Sequence, residues 1–258
     1  MIITNSMWEA IKNEIPVKQT KVGRPEMDPR KALNAIYFVI RTGCQWHMLP
    51  KSLGIASTIH GKFMRWLRMG VFEKIHQLAS KLYLGKLGKW GIWYATDTIS
   101  VKAPLATEQV GKNPTDRSKK GTKRSMIVDR NGAPLGITIH AANVHDSQVV
   151  QFTFKALLNR YEPSNLNIIA ADSAYDSKKI RTFFNEQNFI LLASENKRRK
   201  VVDKIYKPLH RWIVERTHGW LNQNRGLKIR WTKLESTYQA FCSFAASVQL
   251  FKMAGIFV

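Results

Sequence analysis

Apolar residues first fall into helical register at "PRKALNAIYFVIRTG". There Leu33, Ile36, Tyr37, Val39 and Ile40 recur at three- and four-residue steps. Asp28 stands in the cap position, Pro29 in the first helical position and Gly43 just past the end, so both helix ends are marked. "QWHMLPKSLG" breaks the period. Ser57 or Thr58 can then cap a second helix, "TIHGKFMRWLRMG", ending at Gly70, and "VFEKIHQLASKLYL" predicts a third. Beyond "GKLGKWG" the period changes. "IWYATDTISVKAP" predicts a strand closed by Pro104, and "TKRSMIVDRNGAPLGITIHAA" predicts two strands turning at "RNG". "DSQVVQFTFKALLNR" is an amphipathic helix with Asp146 or Ser147 as its cap. "NLNIIAADSAYDS" is a short buried strand that ends on Asp172. A helix "SKKIRTFFNEQ", a strand "FILLAS", a basic run "ENKRRK" and a long helix "KPLHRWIVERTHGWLNQNRG" follow. The tail "STYQAFCSFAASVQLFKMAGIFV" is interrupted by Gln239, Ser243, Ser247, Gln249 and Lys252, which fits a core helix better than a membrane span.

This pattern divides the chain into a helical region over 1–84, a linker over 85–91 and an α/β region over 92–258. The α/β region runs strand, hairpin, helix, strand, helix, strand, helix. That order predicts a mixed sheet flanked by helices, and it is the order of the ribonuclease-H-like fold. The N-terminal region reads as helix, turn, basic helix, with Lys62, Arg65 and Arg68 on the second helix. A helix-turn-helix DNA reader and a plain three-helix bundle both fit this segment.

Charge narrows the partner. Lysine and arginine number 41 against 18 acids, a net +23, far more than solubility requires. Such an excess points to a polyanion, and no basic amphipathic helix separates itself to suggest a membrane surface, so nucleic acid is expected. Cys44 and Cys242 form neither a disulfide framework nor a zinc spacing, and the first sixteen residues lack the order of a signal peptide; a cytoplasmic protein is expected.

In so basic a chain the placement of acids is informative. Asp97 lies inside a predicted strand, where a charge is costly unless paired. Asp172 ends a later strand, where ligands gather in α/β sheets. On the last long helix Arg211, Glu215, His218 and Asn222 fall within an arc of roughly 60°, opposite Ile213, Thr217, Trp220 and Leu221. Two aspartates on strands and a glutamate on a packed helix suit a two-metal phosphoryl-transfer site. Singly, each acid has a plainer role. Asp172 can cap the helix near Ser177, in competition with Asp176, and Glu215 can pair with Arg211. Together they favour a site. His145 and Asp146 in "NVHDS" are placed either near it or at a helix start, and His218 either touches DNA or lines the stripe.

Several blocks resemble, in order, the DDE transposases of bacterial insertion sequences, specifically the insertion-sequence-five family within the wider insertion-sequence-four-like superfamily. They are "LNAIYFVIRTGCQWHMLPKSLG", "FMRWLRMGVFEKI", "KKGTKRSMIVDRNGAPLGITIHAANVHDS", "ADSAYDS" and "RWIVERTHGWLNQNRGL", and they cover nearly the whole length. The resemblance implies that Asp97, Asp172 and Glu215 are the catalytic, metal-holding acids, with two Mg²⁺ ions for which Mn²⁺ substitutes. The family signature places Tyr, Arg, Glu and Lys around the glutamate. Arg211 and Glu215 match it, whereas Pro208 and Asn222 stand at the tyrosine and lysine positions. The 43 positions from Asp172 to Glu215 leave no room for the large insertion some relatives carry there. The implied activity is binding of terminal inverted repeats, DNA strand cleavage and strand transfer into target DNA, by a homodimer or larger assembly. Lys119, Lys120, Lys123, Arg124, Lys197, Arg198, Arg199 and Lys200, with Arg211, His218 and Asn222, become candidate DNA contacts beside Lys62, Arg65 and Arg68. A nuclease of the same fold that cuts without joining, or an inactive DNA-binding relative, are the alternatives.

Overall fold

The computed structural model describes residues 3–17, 25–87, 93–159, 167–193 and 212–256. Helix α1 (Asn5–Ile11) is capped by Thr4, whose hydroxyl accepts the Met7 N–H at 3.3 Å. Helix α2 (Pro29–Thr42) has the ends its sequence marks. The Asp28 carboxylate accepts the Arg30 N–H at 2.8 Å, and Gly43 closes the helix in the left-handed region at φ 70°. Helix α3 (Ala56–Arg68) begins earlier than expected. Ile55 occupies its cap position with no side-chain acceptor, so neither Ser57 nor Thr58 caps it. Burial of Ile59, Phe63 and Trp66 fixes that helix instead. Helix α4 (Val71–Leu87) continues through Gly85 to Leu87, three residues that the sequence pattern assigns to the linker.

The strands are β1 (Trp93–Lys102), β2 (Gly111–Lys112), β3 (Lys120–Asp129), β4 (Pro134–Ala141), β5 (Asn167–Ala171) and β6 (Phe189–Ala193). Among the described residues they form one sheet in the order β2-β3-β1-β5-β6, with β4 also paired to β3. β1, β3 and β4 are antiparallel, whereas β1, β5 and β6 are parallel. With the two-residue β2 set aside, the strands lie in the order third, second, first, fourth, fifth, which is the ribonuclease-H-like arrangement.

Helices α5 (Asp146–Leu158) and α6 (Lys178–Asn185) cover one face. Phe154 there meets Phe183, Phe184 and Phe189 edge-on, and Phe189 touches Tyr94 of β1. Helices α7 (Trp212–Asn222), α8 (Arg225–Lys228) and α9 (Glu235–Met253) serve the other face. α9 is buried nearly all round because it lies between α4 and β4. Two of its polar interruptions are bonded inside the core: Gln239 donates to the Ile137 carbonyl at 3.1 Å and Ser247 to the Ser243 carbonyl at 2.7 Å. Phe241 and Phe244 of α9 meet Phe63, Phe72 and Tyr37, so the N-terminal helices and the sheet share a core. Among the described residues no helix is long and apolar enough to cross a membrane.

The last long helix of the sequence reading is broken after Asn222. Asn224 is extended at φ −84° and ψ 106°, donates to the Leu221 carbonyl and accepts from the Tyr37 hydroxyl at 3.2 Å. α8 then packs closely on α2 because Gly226 lacks a Cβ, which would fall 2.9 Å from the Ile40 carbonyl oxygen.

Candidate active site

Two residues past the Ala95–Ala170 pairing, the parallel strands β1 and β5 bring Asp97 and Asp172 level with each other. Alternation along a strand puts both on the same face of the sheet. Asp172 follows β5 with its backbone still extended, at φ −75° and ψ 165°. Its Oδ1 accepts the Ser173 N–H at 2.6 Å and so caps the short 3-10 turn Ser173–Tyr175. It does not cap α6. Ser177 does so, accepting the Ile180 N–H at 3.3 Å, while Asp176 binds Arg181 at 2.8 Å. Asp97 Oδ1 accepts the Thr98 N–H at 2.8 Å.

α7 crosses the face that carries the two aspartates. Ile213, Val214, Thr217 and Leu221 are its buried side, and Thr217 donates to the Gly132 carbonyl at 2.8 Å. His218 is also buried, so the polar stripe expected from the helical wheel is not all solvent-facing. Burial pushes the His218 pKa well below its ordinary value and the neighbouring Arg124 charge lowers it further, with the Asp97 backbone acting in the opposite direction. His218 is therefore neutral near pH 7. Arg124 itself is wholly buried and donates to Asn222 Oδ1 at 2.8 Å. These two candidate DNA contacts thus tie α7 to β3. Glu215 lies one turn before His218 on the same arc and is exposed. Among the described residues no group of three or more His, Cys, Asp or Glu side chains is drawn together into a cation cage. The arrangement is an aligned aspartate pair, with Glu215 on the helix that crosses the same face.

Two residues that the sequence reading left out of the site, Tyr175 and Thr98, belong beside the pair, together with Asp146, which it placed either near the site or at a helix start. Tyr175 is only 1% exposed. Burial raises its phenol pKa well above the ordinary value, as do the charges of Asp146, Asp97 and Asp172, while the Thr98 hydroxyl acts in the opposite direction. The phenol therefore remains protonated. Asp146 Oδ1 accepts from the Thr98 hydroxyl at 2.7 Å and from Lys123 Nζ at 2.7 Å, and Lys123 also donates to the Val144 carbonyl at 2.7 Å. Asp146 is thus engaged at the end of β1, and α5 is capped by His145, whose Nδ1 accepts the Ser147 N–H at 3.3 Å. The one sequence signal for Tyr175 was its position three residues after the acid in "ADSAYDS". The role of Thr98 had no signal.

The remaining candidate contacts are dispersed. Lys119, Lys120 and Arg68 are exposed. Lys62 is buried and pairs with Glu26 at 2.7 Å, and Arg65 reaches the same carboxylate at 3.2 Å and the Pro16 carbonyl at 3.2 Å. Lys197, Arg198, Arg199, Lys200 and Arg211 lie outside the described residues, as does Pro208.

Comparison with known proteins places the chain in a family. A family model described as "Transposase DDE domain" matches residues 93–250, and one described as "Putative transposase of IS4/5 family" matches residues 3–76. The chain belongs to the DDE transposases. Its N-terminal part matches the insertion-sequence-four/five group. It is 30% identical over 138 residues to the "Putative transposase for insertion sequence element IS402" of Burkholderia cepacia, covering 52% of this chain and 64% of that protein. It is 29% identical over 120 residues to an uncharacterised 16.2 kDa protein of the same element, covering 44% of this chain and 81% of that one. The match therefore spans less than two thirds of the first relative's length. Among solved structures, the piggyBac transposase synaptic complex with hairpin DNA gives a TM-score of 0.47 at 9% identity, over 95% of this chain and 70% of that chain. The Mos1 strand transfer complex gives 0.34 at 10% identity, over 93% and 81%.

Proposed function

We propose that this chain is an insertion-sequence transposase that binds terminal inverted repeats, cleaves DNA at their ends and joins the freed 3′-hydroxyl to target DNA. The observation that carries this reading is the register that sets Asp97 and Asp172 level on one face of adjacent parallel strands, beneath the helix bearing Glu215. All three donors are carboxylate oxygens, the set that hard divalent cations take, so Asp97, Asp172 and Glu215 would hold two Mg²⁺ ions, or Mn²⁺ in their place. Bound there, the ions supply Lewis acidity to the phosphodiester and activation of the attacking oxygen. The chain's own part is positioning. Buried Arg124 ties α7 to β3 through Asn222, and neutral His218 is buried on the same helix without adding a titrating group beside the acids. The Tyr175 phenol keeps a protonated donor among three carboxylates.

Exposed Arg68, Lys119 and Lys120 are suited to backbone phosphates. The basic run Lys197 to Lys200, Arg211 and the N-terminal helices complete the DNA contacts in this reading. Two ends must meet for transposition, so the working form is a homodimer or larger assembly on DNA. Its place is the cytoplasm, at the nucleoid.

The test is incubation of a duplex carrying the element's terminal repeat with a target plasmid, in Mg²⁺ or Mn²⁺ against chelator. Metal-dependent 3′-hydroxyl ends and joined products are expected. Nicking without joining would reassign the chain as a nuclease. Binding without nicking in either metal would make it an inactive DNA-binding relative.

A further inference from the structure

Past Asp97, β1 runs on to Lys102, five residues or about 17 Å away along the strand. There the chain segments 102–120 and 225–235 come together. Between them they hold nine lysines and arginines against three acids, Glu108, Asp116 and Glu235. The acids are engaged locally. Asp116 lies 3.8 Å from Lys102, Glu108 accepts the Glu235 N–H at 2.9 Å, and Glu235 faces buried Arg230. Lys112, Arg117, Lys119, Lys120, Lys228 and Lys233 are all exposed, and none makes an ion pair among the described residues.

This array is built rather than incidental. Arg230 is wholly buried behind it. Its guanidinium donates to the Thr122 hydroxyl at 2.7 Å and to the carbonyls of Gln109, Thr232 and Lys233 at 3.2, 3.3 and 3.1 Å. Its backbone N–H reaches the Lys102 carbonyl at 2.8 Å. One buried cation thus clamps the segments that present the exposed ones, and burying a cation is tolerated only with such full hydrogen bonding. Three of the four non-glycine residues with positive φ among the described residues lie in the same loops: Gln109 at 46°, Arg117 at 51° and Ser118 at 57°. Each is a conformation that L residues rarely adopt, a strain retained where a surface must be shaped. Trp231 and Leu105, each 52% exposed, stand among the cations. Exposed apolar side chains of this size in a basic surface are suited to wedging between base steps.

We propose that this face is where the transposase takes its target duplex. The inference rests on the transposase reading above and assigns that activity's second DNA. Lysine ammoniums are point charges that neutralise phosphates without reading sequence, which suits a target of no fixed sequence rather than a terminal repeat that must be recognised. The separation from Asp97 corresponds to roughly five base pairs at about 3.4 Å per step, so a duplex lying on the face reaches the acid pair.

The test uses the full chain carrying Lys112→Ala, Arg117→Ala, Lys228→Ala and Lys233→Ala, with Trp231→Ala as a separate variant. Three quantities are read: the salt dependence of binding to a random-sequence duplex, cleavage of the terminal repeat, and transfer of precut ends into a plasmid. Loss of four phosphate contacts should reduce the slope of log K against log salt by roughly 3–4. Transfer should fall at least tenfold in both variants, and the loss in the quadruple variant should recover at higher plasmid concentration, while end cleavage stays within twofold. Arginine in place of each of the three lysines should restore transfer. An unchanged salt slope would overturn the proposal. Equal loss of cleavage and transfer would also overturn it, placing the transposon end on this face. Should the quadruple variant melt below wild type, the pairs Lys112→Ala with Arg117→Ala and Lys228→Ala with Lys233→Ala carry the same test with half the slope change. If the wild type neither cleaves nor joins in either metal, the transposase reading falls, and the salt slope alone decides whether the face holds DNA.

Discussion

Asp97 occupies a strand interior, where a carboxylate is costly to bury, and its Oδ1 accepts the Thr98 N–H. Its position is explained by what lies level with it, and strand register supplies that partner. Other charged residues around the site have structural work. Arg124 and Lys123 looked alike in "TKRSM", yet the strand's alternation sends Arg124 into the core toward α7 and Lys123 to Asp146 on the opposite face. His140 shows the electrostatic consequence. Burial lowers its pKa below the ordinary 6.5, and the Lys123 charge lowers it further. The unfolded chain takes up that proton near pH 6.5 while the folded chain does not. The stability it contributes is thus fully present above pH 6.5 and lost as pH falls toward the folded pKa. His140→Gln should remove this dependence. Urea midpoints measured from about pH 8 to about pH 5.5 should fall more steeply for wild type than for the variant, and parallel curves would contradict the assignment. The two aspartates were legible because period-two patterning reveals a strand and a charge breaks it. Tyr175 and Thr98 were not, because their roles depend on carboxylates brought from distant parts of the chain.

At the scale of elements, the hairpin β3–β4 is fastened to α4 at the His76 contact with the Pro134 carbonyl and at a cluster around Asp129. The Tyr83 hydroxyl donates to Asp129 Oδ2 at 2.6 Å, and Asp129 Oδ1 accepts the N–H groups of Asn131 and Ala133, each at 2.9 Å. Burial nonetheless raises the Asp129 pKa, so these bonds only partly offset desolvation. Tyr83→Phe removes the donor and leaves a buried carboxylate oxygen unsatisfied. It should cost about 1.5–3 kcal/mol in urea unfolding with an unchanged m value. A loss below about 0.5 kcal/mol would show that the clasp is not needed. The same scale separates what the sequence could and could not reveal of the helices. The ends of α2 were readable because Asp28, Pro29 and Gly43 act within one turn of the helix. The start of α3 was not, because packing of Ile59 and Phe63 sets it. The cap of α5 went to His145 because Asp146 was drawn away by Thr98 and Lys123. The break after Asn222 escaped for a similar reason, since Asn224 is held by Tyr37 from the other end of the chain.

In the whole molecule, a net charge of +23 surrounds a small group of acids. The hydrophobic pattern was sufficient for the mixed sheet, because each strand and helix of that region carries its own period. The union of the N-terminal helices with the sheet through α9 was less visible, since α9 is apolar on nearly every side and its pattern names no partner. That shared core joins the N-terminal helices to the sheet that carries the acids. The central claim is that Asp97, Asp172 and Glu215, from three separate segments, act as one metal-holding unit. The most direct measurement is end cleavage of a terminal-repeat duplex in Mg²⁺ and Mn²⁺ by wild type, Asp97→Asn, Asp172→Asn and Glu215→Gln, with DNA affinity measured in parallel. Each variant should lose cleavage by about 100-fold or more while its affinity stays within a few-fold of wild type. Wild-type cleavage by any one of the three would contradict the account.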